Sequence, residues 1–428
     1  MVIKKIKVLL VNTYDKGGAA KACIRLHEGL LAKNVTSNLL FKAKQEIIPN
    51  SLQFKSRNKK KSIFLRIKLK IKRLLLELNL LEVKPQVNES FFKERNSRLE
   101  LFSFPNSNLD ITESKLYKEA DIINLHWVAG FVDYESFFKK NKKPVIWTLH
   151  DMNPFTGGEH FVEENLGIDN KGKPIKRILT DLEKETFSKV LDLKMKSLKN
   201  VYNLHIVVLC KWMYKEVKKS KLFCDFPVHL IPNGINTNVF KPRDKVYSKN
   251  IFNLPSEKKI ILFVADSINN NRKGFIFLKK VFEQLNTNDL ILCTVGQKSV
   301  DFNSEKAVIH LGNINDERLM SIAYSLADVF VIPSLMDNLP NTVLESLSCG
   351  TPVIGFPTGG INDLIVHGEN GLLTKEVSVD SLLETINLFL NSICNFDRNT
   401  IREKALNNYS QNIQANKYIK LFETILKN

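Results

Sequence analysis

Residues 328–356 read DVFVIPSLMDNLPNTVLESLSCGTPVIGF, and this stretch decides the fold class. An unbroken apolar run at 328–334 leads into a helix-like segment at 339–350, which stops at Gly350, and a second apolar run follows at 352–356. Strands that are apolar without alternation are buried on both faces, which is typical of parallel sheets covered by helices. The stretch is therefore predicted to be a strand–helix–strand unit of a doubly wound parallel α/β sheet.

The same alternation of apolar runs and helix-length segments continues in both directions along the chain. Further predicted strands lie at 6–12, 121–127, 144–150, 205–210, 259–266, 290–296 and 307–313. They fall into two series, each long enough for its own sheet. At 428 residues the chain is also longer than one ordinary domain. Two doubly wound, Rossmann-like domains facing each other across a cleft are expected.

The boundary between the two domains is predicted near residues 231–250, which hold two prolines and show no helical period. This gives an N-terminal domain at 1–235 and a C-terminal domain at 236–410. The last stretch, about 411–428, is helical in pattern and is predicted to pack back on the N-terminal domain. Residues 42–115 are basic and irregular, and no structure is predicted for them.

The composition excludes several classes of protein. A hydrophobic content of 43% with 25% charged residues is typical of a soluble globular chain. The six cysteines form no Cys-x-x-Cys pair, which argues against structural zinc and a disulfide framework. The apolar run VLLV near the N-terminus is too short for a signal peptide, and no run of about 18 apolar residues could span a membrane. A cytoplasmic protein is expected.

The formal net charge of +18 is concentrated in part between Lys55 and Arg73, where ten residues are Lys or Arg and none is acidic. A basic amphipathic segment can dock on an anionic membrane or hold phosphates. A solvated face in a lysine-rich protein is the other interpretation. No nucleic-acid-binding motif accompanies the charge, so no nucleic-acid partner is expected.

Candidate functional residues follow the predicted strands, because ligands of doubly wound sheets bind at the carboxyl ends of the strands. The pairs placed there are Gly17 and Gly18, His150 and Asp151, and Arg272 and Lys273. Glycines permit close approach of the backbone to a phosphate or sugar, and two cations suit a diphosphate. Each pair also has a plainer interpretation, as an ordinary turn, a structural histidine or solvated basic residues.

Asp337 and Glu345 stand eight positions apart in the opening stretch. The sequence Thr342-x-x-Glu345 fits a capping box, in which Glu345 would accept a hydrogen bond from the backbone N–H of Thr342. That interpretation explains Glu345 without a ligand. It explains neither Asp337 nor the Gly-Gly turn of PTGGINDLI at 357–365.

In combination, these motifs resemble those of the family-4 retaining glycosyltransferases, which have the GT-B fold. The resemblance rests on the opening stretch with its continuation to about residue 373, on IPNGINTNVFKP, NRKGF and LGNI, and on the GGAA loop after the first strand. The segment TLHDMNPFTGGEHF is similar to a motif of the subgroup that builds exopolysaccharide and lipopolysaccharide.

The resemblance implies a role for individual residues. It implies that Glu345 binds the nucleotide ribose, that Asp337 lies near the donor hexose and that Arg272 and Lys273 neutralise the diphosphate, with His150 at the sugar. The implied catalytic residues are His150, Arg272, Lys273, Asp337 and Glu345. The implied donor-binding residues are Gly17, Gly18, Asn338, Leu339, Asn341, Thr342, Leu311 and Ile314. The implied acceptor-side residues are Asp151, Thr156, Gly157 and Gly158.

The activity that the resemblance implies is transfer of a hexose, with retention, from a UDP- or GDP-sugar to a growing lipid-linked polysaccharide or lipopolysaccharide. No metal or other cofactor is expected, in keeping with the absence of any Asp-x-Asp sequence. Such a protein would be peripheral on the inner face of the membrane. A non-catalytic nucleotide-sugar binder and a nucleotide-sugar epimerase of the same fold are the alternatives.

Two residues depart from the family pattern. Asp337 stands where the family usually has Glu, and its shorter reach could alter donor preference. Glu159 stands where the subgroup usually has Cys, which suggests the loss of a cysteine pair or metal knuckle and not of catalysis.

Overall fold

The computed structural model describes residues 5–55, 87–169, 172–285, 288–297, 308–391 and 396–427. Two parallel sheets, each connected through helices, confirm the predicted doubly wound α/β class. Of the basic segment Lys55–Arg73, only Lys55 falls within the described residues, so the interpretations of that segment remain untested. No helix within the described ranges is both long and apolar enough to cross a membrane.

The sheet of the N-terminal half has seven strands among the described residues, in the order β3-β2-β1-β4-β5-β8-β9, and every pairing is parallel. Its strands are β1 (Lys7–Tyr14), β2 (Thr36–Ala43), β3 (Ser51–Gln53), β4 (Ile122–Leu125), β5 (Val145–Thr148), β8 (Leu204–Val208) and β9 (Val228–Leu230). A small antiparallel hairpin is inserted between β5 and β8. It consists of β6 (Asn165–Ile168) and β7 (Pro174–Lys176).

The sheet of the C-terminal half has six described strands in the order β12-β11-β10-β13-β14-β15, again all parallel. They are β10 (Lys259–Ser267), β11 (Leu290–Gln297), β12 (Val308–His310), β13 (Val329–Ile332), β14 (Val353–Gly355) and β15 (Gly371–Leu373). In both sheets the strand order reverses beside the first strand of the domain. That reversal is where doubly wound sheets open a crevice for a ligand.

Helices connect the strands of both sheets. They are α1 (Gly18–Ala32), α2 (Val87–Glu94), α3 (Lys115–Glu119), α4 (Tyr134–Lys140), α5 (Asp181–Leu198), α6 (Lys211–Lys219), α7 (Lys245–Ile251), α8 (Phe275–Gln284), α9 (Glu317–Leu326), α10 (Asn341–Ser348), α11 (Ile361–Leu364), α12 (Val379–Leu390), α13 (Arg398–Tyr409) and α14 (Gln411–Lys427). Short 3₁₀ turns lie at Ile111–Glu113, Asn153–Phe155 and Asn271–Lys273.

Strand β1 shows why its sequence is apolar without alternation. Its six central residues are all buried, because successive side chains enter two different cores. Val8 and Leu10 pack into the core that includes helices α1 and α14. Leu9 and Val11 pack into the larger core on the other face. A strand covered on both faces leaves only its ends for function.

Helix α14 packs on the N-terminal sheet through Tyr418 and Phe422, which lie in one core with residues of β1 and α1. The Tyr418 hydroxyl also hydrogen bonds to the Thr148 hydroxyl at 2.8 Å. The chain therefore passes between the halves twice. The two crossings run side by side, since the Ile235 N–H donates to the Tyr409 carbonyl at 2.7 Å and the Gln411 N–H to the Ile235 carbonyl at 3.0 Å.

Candidate functional site

A cavity of about 600 Å³ lies between the two halves of the chain. Its walls come from the segments that follow the carboxyl ends of strands in both sheets. The predicted site residues that line it are Gly17, Gly18, His150, Asp151, Arg272, Lys273, Ile314, Asp337, Asn338, Leu339, Asn341, Thr342 and Glu345. Residues from both sheets thus meet at one site, as expected for ligands of doubly wound folds.

At one side of the cavity Asp337 is buried between two cations, Arg272 and Lys273. We call these three residues, together with Glu100 and Phe161, the Asp337 end. Arg272 Nη1 donates to Asp337 Oδ1 at 2.7 Å, and Lys273 Nζ lies 2.9 Å from both carboxylate oxygens. Burial alone would raise the pKa of Asp337, but the charges of Lys273 and Arg272 lower it to about 2. Asp337 is therefore ionised at neutral pH.

Arg272 is also held from the N-terminal half of the chain. Its Nε donates to Glu100 Oε1 at 2.6 Å, and its guanidinium carbon lies 4.1 Å from the centre of the Phe161 ring. Neither Glu100 nor Phe161 was predicted, because nothing local in a sequence marks a residue that contacts a partner more than 100 positions away.

The loop that carries Asp337 rests on the Gly-Gly turn at 359–360. The Gly360 N–H donates to the Asp337 carbonyl at 2.9 Å. A Cβ at Gly359 would overlap that same carbonyl oxygen, and a Cβ at Gly360 would overlap the carbonyl of Asn338. Gly359 also has a φ of +51°, which side chains other than glycine rarely adopt. This close approach explains the second glycine pair that the capping-box interpretation left unexplained.

At the other side of the cavity Glu345 is paired with Arg25 of helix α1. We call these two residues, together with Glu317 and Tyr324, the Glu345 end. Arg25 Nη2 donates to Glu345 Oε1 at 2.7 Å and to Glu317 Oε1 at 2.5 Å. The Tyr324 hydroxyl donates to Glu345 Oε2 at 3.1 Å. The Arg25 side chain is only 3% exposed, so these are contacts of a largely dry site.

The capping-box interpretation of Glu345 is wrong. Helix α10 begins at Asn341 after Pro340, and no side chain caps its first turn. Glu345 turns instead toward Arg25, because a hydrogen bond from a buried guanidinium is stronger than one from a neutral backbone N–H. The predicted stop of the helix is confirmed, since Gly350 has a φ of +73°.

The start of helix α10 is tied to the N-terminal half by side-chain amides. Asn341 Nδ2 donates to the Gly18 carbonyl at 2.9 Å, and Asn338 Nδ2 donates to the Leu149 carbonyl at 2.9 Å. The glycine loop after β1 and the first turn of α10 therefore face each other across the cavity.

His150 and Asp151 belong to a polar cluster at the end of β5. The His150 ring stacks on His126, and the two rings share a hydrogen bond of 2.9 Å. Burial lowers the pKa of His150 to about 4, so the ring is neutral at neutral pH. Asp151 accepts from His160 Nδ1 at 2.5 Å and from Trp127 Nε1 at 2.7 Å. His126, Trp127 and His160 were not predicted, although His126 and Trp127 directly follow strand β4.

Four predicted residues do not reach the cavity among the residues described. Leu311 packs against the large core. Gly157 and Gly158 lie where a Cβ would collide with Phe187 and Phe102, so they serve close packing of the loop on aromatic rings. The Thr156 hydroxyl donates to the Glu159 carbonyl within the same loop at 2.6 Å. The acceptor-side motif thus contributes His150, Asp151 and Phe161 to the cavity, and its residues 156–158 to the support behind them.

Glu159, the second departure from the family pattern, has a definite structural role. It accepts hydrogen bonds from Arg95 Nη2 at 3.0 Å and from Arg177 Nη1 at 2.8 Å. Arg177 Nη2 also donates to Glu183 at 2.6 Å. These buried ion pairs join the β6–β7 hairpin, helix α5 and the segment after α2. Among the described residues there is no cluster of three or more His, Cys, Asp or Glu side chains suited to a metal.

Comparisons with known proteins agree with this architecture. The sequence model of the glycosyl transferases group 1 matches residues 245–408. The N,N'-diacetylbacillosaminyl-diphospho-undecaprenol alpha-1,3-N-acetylgalactosaminyltransferase of Campylobacter jejuni is 29% identical over 133 residues, which are 30% of this chain and 34% of that protein. The chain spans between about a third and about half of the length of such curated relatives.

Solved structures resemble nearly the whole chain at low sequence identity. Sucrose-phosphate synthase from Thermosynechococcus elongatus matches with a TM-score of 0.68 and 16% identity, covering 99% of this chain and 100% of that one. Anabaena HepE in complex with UDP-glucose matches with a TM-score of 0.63 and 15% identity, covering 98% and 100%. Residues 245–408 are therefore similar to the group 1 glycosyl transferases, and the chain as a whole has the GT-B fold.

Proposed function

We propose that this protein is a retaining, metal-independent glycosyltransferase that moves a hexose from a nucleotide sugar to a growing lipid-linked polysaccharide or lipopolysaccharide. The observation that carries the proposal is the cavity itself. It holds two cations, Arg272 and Lys273, at one end and a carboxylate, Glu345, at the other, with His150 in its wall. That spread of charge suits a ligand with an anionic diphosphate and uncharged hydroxyl groups.

The cations supply what the leaving group needs. As the bond between sugar and diphosphate breaks, negative charge develops on the diphosphate and positive charge on the sugar. A cation already oriented in a site shielded from water stabilises that charge without reorganising at the moment of reaction, which is worth several kcal/mol, roughly. Asp337 holds both cations in place before the donor arrives.

A front-face mechanism is the step we propose for retention. Asp151 is engaged by His160 and Trp127, and Asp337 by Arg272 and Lys273, so neither carboxylate is a free nucleophile. In this mechanism the acceptor hydroxyl attacks the face that the diphosphate is leaving. The departing diphosphate oxygen then takes the hydroxyl proton, and no covalent intermediate with the enzyme is needed.

The donor and acceptor are proposed from the relatives. The solved Anabaena protein holds UDP-glucose, so we give UDP-sugars priority over GDP-sugars. The Campylobacter jejuni relative is named for a diphospho-undecaprenol substrate, so we propose a lipid-linked acceptor at the cytoplasmic face of the membrane. Docking through Lys55–Arg73 remains a prediction. Flotation with anionic liposomes at low and high salt tests it, against a variant with Lys59 to Lys61 reversed in charge.

The decisive experiment has two stages. Thermal shift against UDP-, GDP- and ADP-sugars first identifies the donor, and transfer to lipid-diphosphate sugars is then measured with and without EDTA. We expect one donor class to raise the melting temperature, EDTA to have no effect, and the product anomer seen by NMR to match that of the donor. An inverted anomer or inhibition by EDTA would refute those parts of the proposal.

Other results of the same assay identify the alternatives. Binding without transfer or hydrolysis across the panel would indicate a non-catalytic nucleotide-sugar binder. Release of a free, isomerised sugar would indicate an epimerase.

A further inference from the structure

We infer that Glu100 is a positioning residue for Arg272. In this inference a carboxylate from the N-terminal half aims the arginine of the C-terminal half at the donor diphosphate. The inference rests on the proposed function, because that function places the diphosphate beside Arg272. It adds a residue outside every motif that the sequence analysis recognised.

The contacts of Glu100 cross from one half of the chain to the other. Glu100 Oε1 accepts from Arg272 Nε at 2.6 Å and from Asn270 Nδ2 at 2.7 Å. The two side chains are 18% and 8% exposed for Glu100 and Arg272, respectively, so water competes little for this pair. One oxygen therefore holds both Arg272 and Asn270, the residue that caps the turn carrying it.

Because the guanidinium of Arg272 is planar, the contact with Glu100 helps to fix the direction in which its free N–H groups point. Nε is held by Glu100, while Nη1 donates to the Met336 carbonyl at 2.6 Å and to Asp337. Phe161 covers one face of the group at 4.1 Å. Among the described residues none accepts a hydrogen bond from Nη2. Because the guanidinium is planar and its donors have fixed directions, holding Nε and Nη1 also sets where Nη2 points.

Glu100 is itself held in place. Its backbone N–H donates to Glu163 Oε2 at 2.6 Å, and Arg95 Nη2 donates to its carbonyl at 3.2 Å. Arg95 in turn belongs to the buried network with Glu159 and Arg177. The carboxylate thus stands on a built support, which distinguishes it from an exposed side chain that happens to meet an arginine.

The balance of charges at the Asp337 end predicts whether loss of the Glu100 charge strengthens or weakens diphosphate binding. At the Asp337 end two carboxylates, Glu100 and Asp337, offset two cations, Arg272 and Lys273, so the end is formally neutral before a donor binds. Replacing Glu100 by Gln keeps an oxygen for Arg272 Nε but removes one negative charge. Replacing it by Ala removes both the oxygen and the charge. The difference between the two variants therefore isolates orientation from charge.

The test compares Glu100→Gln, Glu100→Ala and the control Glu94→Ala, an exposed residue of the preceding helix. Calorimetric titration with UDP is measured first, together with the melting temperature. We expect Glu100→Gln to bind UDP about 2–5-fold more tightly than the wild type, since a nearby carboxylate no longer opposes the diphosphate. Glu100→Ala should bind at least about 3-fold more weakly than Glu100→Gln. The control should match the wild type.

Steady-state transfer gives the second readout. We expect kcat of Glu100→Ala to fall about 10–100-fold, with the donor KM changed less than about 3-fold. A wrongly oriented Arg272 would lose mainly its stabilisation of the negative charge that develops on the diphosphate in the transition state. Glu100→Gln should retain kcat within about 5-fold. Equal Kd and kcat values for the Gln and Ala variants, whatever their melting temperatures, would overturn the inference.

The binding arm separates this inference from the proposed function. If the wild type binds UDP or GDP but transfers nothing, the proposed function fails while the Gln and Ala titrations still decide the role of Glu100. If the wild type binds neither nucleotide, the proposed function and the inference about Glu100 are both refuted.

Discussion

The Asp337 end and the Glu345 end of the cavity are built on the same plan with the charges exchanged. At the Asp337 end the C-terminal half supplies the cation, Arg272, and the N-terminal half supplies the acid, Glu100. At the Glu345 end the C-terminal half supplies the acid and the N-terminal half supplies the cation, Arg25. In both cases a residue implied for donor binding is held by an oppositely charged side chain from the facing half.

The ends differ in what they leave for a ligand. The Lys273 side chain remains 21% exposed beside two balanced acids, so a cation is accessible at the Asp337 end. Arg25 is 3% exposed between Glu345 and Glu317, which leaves an excess of negative charge at the Glu345 end. The first arrangement can accept an anion, and the second suits neutral hydrogen-bond donors such as ribose hydroxyls. The two halves of the chain thus exchange which sign of charge each supplies, and the two ends of one cavity differ in the ligand groups that they suit.

The largest effect is expected from the accessible cation, Lys273. For Lys273→Ala we expect kcat to fall about 100–1,000-fold, because a preorganised charge beside the leaving group is lost. The melting temperature should move by only a few degrees, roughly, since the side chain is partly exposed. Steady-state transfer and thermal unfolding check this, with Lys417→Ala on the exposed side of α14 as control. Full activity in the variant would remove Lys273 from the site.

The next test concerns the buried cation. Arg25→Met should destabilise the protein by about 3–5 kcal/mol, because Glu345 is left as a buried charge without its partner. Urea unfolding measures the loss. The double variant Arg25→Met with Glu345→Gln should recover a large part of it. A loss below about 1 kcal/mol would show that this pair is solvated and that the two ends do not differ in burial.

Asp337→Glu probes the reach of the acid. The added methylene pushes the carboxylate past Arg272 and Lys273, so the group near the donor hexose is displaced. We expect the ratio of kcat/KM between two UDP-hexoses to change by about tenfold, the size typical of one methylene in a pocket. Competition assays with paired donors measure it. An unchanged ratio would separate Asp337 from donor choice.

The smallest effect is a pH dependence of Glu163, which supports the Asp337 end by accepting the Glu100 N–H. Burial first, and then the charges of Glu100 and Glu159, raise the pKa of Glu163 to about 7. The folded state therefore holds a proton that the unfolded state has lost above about pH 4.5, so stability contributed by this group falls as pH rises toward 7 and beyond. Glu163→Gln cannot lose a proton, so this fall in stability with rising pH is absent from the variant. Its melting temperature relative to wild type should increase by a few degrees, roughly, between pH 5 and pH 8. A constant difference across this range would contradict the assignment.

The strands that were predicted have a physical reason to be visible in the sequence. The buried parts of β1, β5 and β13 carry the apolar runs VLLV, VIW and VFVI, and β4 is interrupted only by the buried Asn124. Strand β2 was missed because TSNLLFKA places polar residues within it. Strands β3, β9 and β15 have the sequences SLQ, VHL and GLL, which are too short and too mixed to stand out as apolar runs. The equally short β12 and β14 were predicted because further apolar residues flank them.

The site was predictable where it depends on strand ends and not where it depends on contacts between the halves. Of the thirteen predicted residues that line the cavity, all except Glu345 follow a strand or lie at the start of a helix. Arg25 pairs with a residue 320 positions away, and Glu100 with one 172 away. A motif records neighbours along the chain, so these partners, and the turning of Glu345 away from its own helix, appear only in the folded molecule.

The two chain crossings at Ile235 and Ser410 have a consequence for how the protein can be taken apart. Because Ile235 pairs with the residues on either side of Ser410, the C-terminal half leaves and rejoins the fold at nearly one point. An inserted segment whose two ends lie close together can be replaced by another such segment without distorting the domain into which it is inserted, here the N-terminal half with helix α14. Helix α14 belongs to that host, so a truncation after Ser410 would strip the N-terminal sheet of its cover. If the proposed function holds, exchanging this internal half between relatives would exchange the side of the cavity that carries Arg272, Lys273 and Glu345.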